Sequence, residues 1–201
     1  MMTLIYLCLM QNEKIKNDGR RLRSINTQNA IVDALMNLVQ SGILEPTAQQ
    51  VSDEAELGIR TVFRQIQDKE TLFILMDERV KQNYAGDMMN TTPCGDIKSR
   101  IKELVVMEAR TYESNLQFLR ATLANKWKYK TLQKNYKRNQ KNLKALLYSW
   151  LPEIKEKTKA TQAFLTSINS TGYWIELREN QQLSVEDACA LKIQAFENAL
   201  L

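Results

Sequence analysis

The chain has 201 residues, 44% of them hydrophobic, a formal charge of +5 and no histidine. Such a length and apolar content suffice for a small folded unit joined to a larger one, and the charge mildly favours an anionic partner. Without histidine, and with Cys8, Cys94 and Cys189 far apart, zinc sites, imidazole acid–base catalysis and Ser/His triads are excluded or nearly so. No metal, no cofactor and no enzymatic activity are therefore expected, and the cysteine usage fits a reducing, cytoplasmic setting, with redox sensing as the lesser alternative.

The chain opens on an apolar stretch, Met1 to Met10. It lacks a preceding basic region and a small-residue cleavage site and is too short to span a bilayer, so a loosely packed extension is expected, or an apolar contact with a partner, and no membrane segment. Arg20, Arg21 and Arg23 follow as a short basic arm, either solvated or able to enter a minor groove. From Ser24 to Gln40, apolar residues recur at three- and four-residue intervals (Ala30, Ile31, Ala34, Leu35, Leu38, Val39), which predicts an amphipathic helix ending near Ser41-Gly42.

Thr47 to Lys69 predicts two short helices and a tight turn. Thr47 and Gln50 have the spacing of a capping box, and Ala48, Val51 and Ala55 share one face. At Glu56, Leu57 and Gly58 the period breaks, with Gly58 as the small residue for the turn. A second helix runs from Ile59 to Ile66, with Val62 and Ile66 inward and Arg60, Thr61, Arg64 and Gln65 outward, where such side chains can read base edges. Asp68 then caps a third helix, placing Lys69 where backbone N–H groups and an ammonium can hold a phosphate.

The run Arg60-Thr61-Val62-Phe63-Arg64, with Ile66, Asp68-Lys69-Glu70 and Leu72, resembles the DNA-binding domain of the TetR (tetracycline repressor) family. The likeness extends upstream through Asp18-Gly19-Arg20-Arg21, Ile31-Val32-Asp33-Ala34-Leu35 and Pro46-Thr47-Ala48. This resemblance implies that Ile59, Arg60, Thr61 and Arg64 enter the major groove and that Thr61, Phe63 and Lys69 approach the backbone. Thr47 and Gln65 join the expected contact set. Glu56, Gly58 and Gln65 depart from the family, which usually has Gly, Ser, and His or Tyr there. From Arg20 to Glu70 the chain has six basic residues (Arg20, Arg21, Arg23, Arg60, Arg64, Lys69) against seven acidic (Asp33, Glu45, Asp53, Glu54, Glu56, Asp68, Glu70). Its cations must therefore converge on one face if it binds DNA.

The helix from Lys69 is expected to reach about Tyr84, and Gly86 to Asp96 has the chemistry of a loop. Beyond it the pattern is helical throughout: Ile97 to about Tyr112, Ser114 to Asn125, Thr131 to Trp150, Lys155 to Glu179, and Ser184 to Leu200. Between Lys126 and Lys144 stand eight basic residues and no acidic one, interleaved with Trp127, Tyr129 and Tyr136. This run reads as the solvated face of a helix with Leu132, Tyr136, Leu143 and Leu147 inward. It could also be a second nucleic-acid surface or the mouth of a pocket for an anionic effector.

The resemblance further implies a C-terminal cavity for a small-molecule effector and a four-helix interface between two subunits. Met107, Tyr112, Phe118, Trp127 and Trp174 are the candidates for the cavity, although such residues at helical spacing are more often core. Phe164, Leu165, Ile168, Trp174, Ile175, Leu191, Ala195 and Phe196 are the candidates for the interface. The expectation is an all-α protein divided into an N-terminal extension (1–23), a three-helix helix-turn-helix domain (24–70) and a larger helical effector-binding and dimerisation domain (71–201). As a homodimer it would read a palindromic operator in double-stranded DNA as a repressor under ligand control. The alternative is a helical ligand-binding or adaptor protein without operator binding.

Overall fold

Residues 19–66, 68–89 and 92–201 are described in a computed structural model. The apolar stretch from Met1 to Met10, with Cys8, lies outside them, as does the side chain of Arg20. Among the described residues every regular element is helical: α1 (Gly19–Gln40), α2 (Ala48–Glu54), α3 (Ile59–Gln65), α4 (Lys69–Met89), α5 (Ile97–Ser114), α6 (Leu116–Asn125), α7 (Lys130–Trp150), a 3₁₀ turn (Pro152–Glu156), α8 (Lys159–Ile168), α9 (Thr171–Ile175) running into a π-helical turn (Glu176–Asn180), and α10 (Val185–Leu200). None of these helices is long and apolar enough to cross a membrane. The chain divides into two compact units within α4, between Met76 and Asp77.

In the first unit, α1 packs on α2 and α3. Ile31, Leu35 and Val39 from α1, Val51 from α2, and Val62 with Ile66 at the end of α3 are buried, the stripes predicted from their spacing. Helix α1 begins at Gly19, five residues before the predicted start at Ser24. Arg21 and Arg23 thus stand on a helix and not on an extended arm, and Arg23 Nε donates to the Gly19 carbonyl at 2.8 Å.

In the second unit, α5 and α10 are the most extensively paired helices. One apolar cluster gathers Ile101, Leu104 and Val105 of α5, Leu147 and Trp150 of α7, Leu165 and Ile168 of α8, and Phe196 and Leu200 of α10. A smaller one holds Ala109, Tyr112, Trp174, Leu177 and Ala188. The single helix predicted from Lys155 to Glu179 is broken into several pieces. Thr158 and Ser170 each cap a new helix start through their hydroxyls, accepting from Thr161 N and Tyr173 N, and such local bonds compete with helix continuation. Further along, Ser184 caps α10 as predicted, its hydroxyl accepting from Asp187 N at 3.0 Å.

Candidate nucleic-acid interface

The segment from Thr47 to Lys69 is built by caps. Gln50 N donates to Thr47 Oγ1 at 3.2 Å and Thr47 N to Gln50 Oε1 at 2.8 Å, closing the capping box anticipated from the sequence. The turn after α2 is clamped by a residue that the sequence did not single out: buried Ser52 donates to the Leu57 carbonyl at 2.5 Å, and Leu57 N donates back to the Ser52 carbonyl at 3.0 Å. Within this turn the left-handed residue is Glu56, at φ 53°. Gly58 has φ −63°, and a Cβ built on it meets nothing within 4 Å. The turn therefore makes no conformational demand for glycine at 58, contrary to expectation, and does make one at 56, where it holds a glutamate.

Helix α3 rests its Val62 side in the core. Arg60 and Arg64, four residues apart and so neighbours on one helix face, are exposed and in no ion pair among the described residues. Phe63 stands beside them with 61% of its surface exposed, while Ile59 and Thr61 are half-buried. Other members of the predicted contact set are engaged within the chain, as Arg23 is with the Gly19 carbonyl. Gln65 accepts from Ser24 Oγ at 3.1 Å, so it points back to α1 and not outward. The Thr47 hydroxyl is taken up by Gln50.

At the start of α4, Thr71 N donates to Asp68 Oδ1 at 2.7 Å, and this bond holds the Asp68 carboxyl below its ordinary range. Asp68 thus occupies the helix start that had suggested a phosphate site, and Lys69 Nζ lies 3.7 Å from Glu45. Several other carboxylates of this unit are also engaged: Asn37 donates to Glu54 at 3.0 Å and Gln49 to Asp53 at 2.7 Å. Glu56 is exposed; its N–H donates to the Asp53 carbonyl at 3.2 Å, while its carboxylate is in no ion pair or hydrogen bond among the described residues.

Of the residues predicted to line an effector cavity, two come together. Tyr112 and Trp174 are buried against each other, ring centroids 6.1 Å apart, and Phe118 is also buried. Trp127 is 76% exposed. Met107 borders an open hollow of about 700 Å³ whose lining residues all belong to α5. Of the residues predicted for a subunit interface, Leu165, Ile168, Trp174 and Phe196 lie in the core of their own chain. Phe164 and Leu191 are exposed, and Ile175 and Ala195 are half-buried.

Between α5 and α10 lies a buried ion pair. Lys192 Nζ lies 3.0 Å from Glu108 Oε2, with both side chains fully buried. Asn169 Nδ2 donates to the other Glu108 oxygen at 2.8 Å, and Tyr112 Oη donates to the Asn169 carbonyl at 3.3 Å. The ammonium also faces the Tyr112 and Trp174 rings at 5.7 and 5.8 Å, a second source of cation stabilisation. Burial pushes the Glu108 carboxyl up, against the downward pull of Lys192 and Asn169. A signal for the pair was present: Glu108 interrupts the apolar series Ile101, Leu104, Val105, Tyr112, and Lys192 interrupts Ala188, Phe196, Leu200, in each case on the inward face. Nearby, Glu113 accepts from Trp174 Nε1 and Arg178 Nε, both at 2.9 Å, tying the π-helical turn to α5.

Among the described residues no group of His, Cys, Asp and Glu is placed to hold a metal ion. Comparison with protein-family models, with curated proteins and with solved structures returns no match for this chain.

Proposed function

We propose that this protein is a sequence-specific, double-stranded-DNA-binding transcriptional regulator of the TetR type, with α2 and α3 as its helix-turn-helix and α3 as the reading helix. The observation that carries this reading is the outer face of α3, where Arg60 and Arg64 stand exposed and outside any ion pair among the described residues, with Phe63 beside them. An arginine so presented can bond a guanine edge at two points. A capping box, the Ser52–Leu57 clamp and the buried Val62 hold the helix that carries them, and rigid presentation of this kind is what base reading demands. In this reading Ile59 and Thr61 flank the reading face, Arg21 and Arg23 approach phosphates from α1, and Lys69 does so from α4 once it leaves Glu45.

A homodimer completes the proposal, since one seven-residue helix reads too few base pairs to define a site, and two-fold pairing doubles the contact over a palindrome. Of the residues predicted for the subunit interface, Phe164 and Leu191 are exposed and so available for it. Repression under the control of a small ligand is the mode that the TetR resemblance implies. The adaptor alternative is favoured by one feature, the unpartnered carboxylate of Glu56 on the turn before α3, which would oppose phosphates.

Selection of bound sequences from a random duplex pool at about physiological salt tests the proposal. Recovery of a palindrome from the native chain, and its disappearance with Arg60→Ala/Arg64→Ala, is the expected result. If the native chain enriches no sequence, the regulator reading fails and the adaptor reading takes its place.

A further inference from the structure

Helix α7 carries a second cationic feature that the proposed reading head does not use. Lys130, Lys134, Lys137, Lys141 and Lys144 follow one another at intervals of three and four residues, which places them in a single row along the helix. All five, and Arg138 beside them, are exposed. The opposite face is committed to the core, where Leu132 and Leu147 are fully buried.

A solvated helix face ordinarily mixes signs, because like charges three and four residues apart repel and weaken the helix. This one mixes none. From Ser114 to Pro152 the sequence contains no aspartate or glutamate. The carboxylates that bound the stretch are already occupied: Glu113 by Arg178 and Trp174, and Glu153 by Arg100. Asp77, which accepts from Asn135 of α7 at 2.8 Å, is also paired with Lys81. None of Lys130, Lys134, Lys137, Arg138 and Lys141 is in an ion pair among the described residues. The repulsion in the row is therefore left for an external polyanion to relieve.

We infer that the outer face of α7 is a docking surface for the phosphate backbone of duplex DNA, read without regard to sequence. The row from Lys130 to Lys144 is about 21 Å long at 1.5 Å per residue, and one strand of duplex presents a phosphate about every 3.4 Å of axis. About six phosphates thus lie alongside five lysines and Arg138. Amides stand between the cations, among them Gln133, Gln140 and Asn142, and such side chains donate to phosphate oxygens as lysine does. An anionic membrane is a poorer fit, because a surface helix gains its hold by burying an apolar face in lipid, and here that face is inside the protein. This inference does not depend on α3 reading bases.

The test uses the full chain and a random-sequence duplex, with affinity followed by fluorescence anisotropy between about 50 and 200 mM salt. The variant K134Q/K137Q/R138Q/K141Q removes four exposed charges, and K134R/K137R/K141R keeps them. Each phosphate contact contributes about 0.9 to the logarithmic salt slope, so the glutamine variant should flatten the slope by about 3.6. Over this salt range it should lose about 150-fold less affinity than the native chain. The arginine variant should behave as native, and Arg60→Ala/Arg64→Ala should retain most of the random-duplex binding while losing any sequence selection. An unchanged affinity and slope in the glutamine variant would overturn the inference, with α3 unaffected. So would a variant that loses binding to phosphatidylserine vesicles but keeps its binding to duplex.

Discussion

Replacing Lys192 by Met tests the centre of the second unit. Methionine fills a similar volume, but it removes the ammonium 3.0 Å from Glu108 and the two ring contacts, leaving the buried carboxylate with the Asn169 amide at 2.8 Å as its remaining donor. Removing one partner of a buried ion pair costs about 3–5 kcal/mol, a large part of the roughly 5–15 kcal/mol that separates folded from unfolded proteins. The three tryptophans, Trp127, Trp150 and Trp174, all lie in this unit, and Trp150 and Trp174 are buried, so urea unfolding followed by tryptophan fluorescence reports it selectively. Adding Glu108→Gln to Lys192→Met removes the stranded charge and should recover at least about 2 kcal/mol of the loss, a coupling expected of residues in direct contact.

The sign of the pH dependence follows from the direction of the Glu108 shift. Its folded-state pKa is raised, by burial first, and loss of Lys192 removes a pull in the opposite direction. A raised carboxyl pKa stabilises the fold fully below the unfolded value of 4.5 and less as pH rises through the folded value. The Lys192→Met deficit should accordingly be largest at neutral pH and shrink toward pH 4.5. A deficit below about 1 kcal/mol, or single-variant losses that simply add in the double variant, would refute the account of this pair as a coupled unit.

Glu56→Gly should stabilise the first unit by about 0.5–1 kcal/mol, because glycine adopts a φ of 53° without strain; helix melting by circular dichroism measures it, and duplex affinity should rise as the carboxylate is lost. Gly58→Ser should be tolerated, changing stability by only about a few tenths of a kcal/mol, since the site is open and a serine there can cap α3; a loss above about 1 kcal/mol in the same melt would show that the turn needs glycine after all. Thr47→Ala opens the capping box and should cost about 1 kcal/mol. The proposed homodimer is tested by Phe164→Glu/Leu191→Glu, which should turn a dimer into a monomer in sedimentation velocity while leaving the tryptophan unfolding transition in place, because both residues are exposed in the single chain; a native chain that sediments as a monomer would refute it.

Residues that act within one turn of helix were legible in the sequence. The capping box of Thr47 and Gln50, the Ser184 cap and the buried stripe of Ile31, Leu35 and Val39 depend on spacing alone, and spacing is a property of the chain. The all-helical class follows for the same reason. What spacing could not decide was which of two faces a helix turns inward when both carry apolar residues. Leu191 and Phe196 were equivalent as letters in α10, yet one is exposed and the other buried, because α5 and α8 pack on one side only. The left-handed position fell on Glu56 and not on Gly58, since the Ser52–Leu57 bonds, and not the smallest residue, set the path of the turn. Gln65 was drawn to Ser24, forty-one residues away. Glu108 and Lys192 stand eighty-four residues apart, and either charge alone would be intolerable in a core. Only the packing of α5 on α10 brings the two together and makes each the reason the other can be buried.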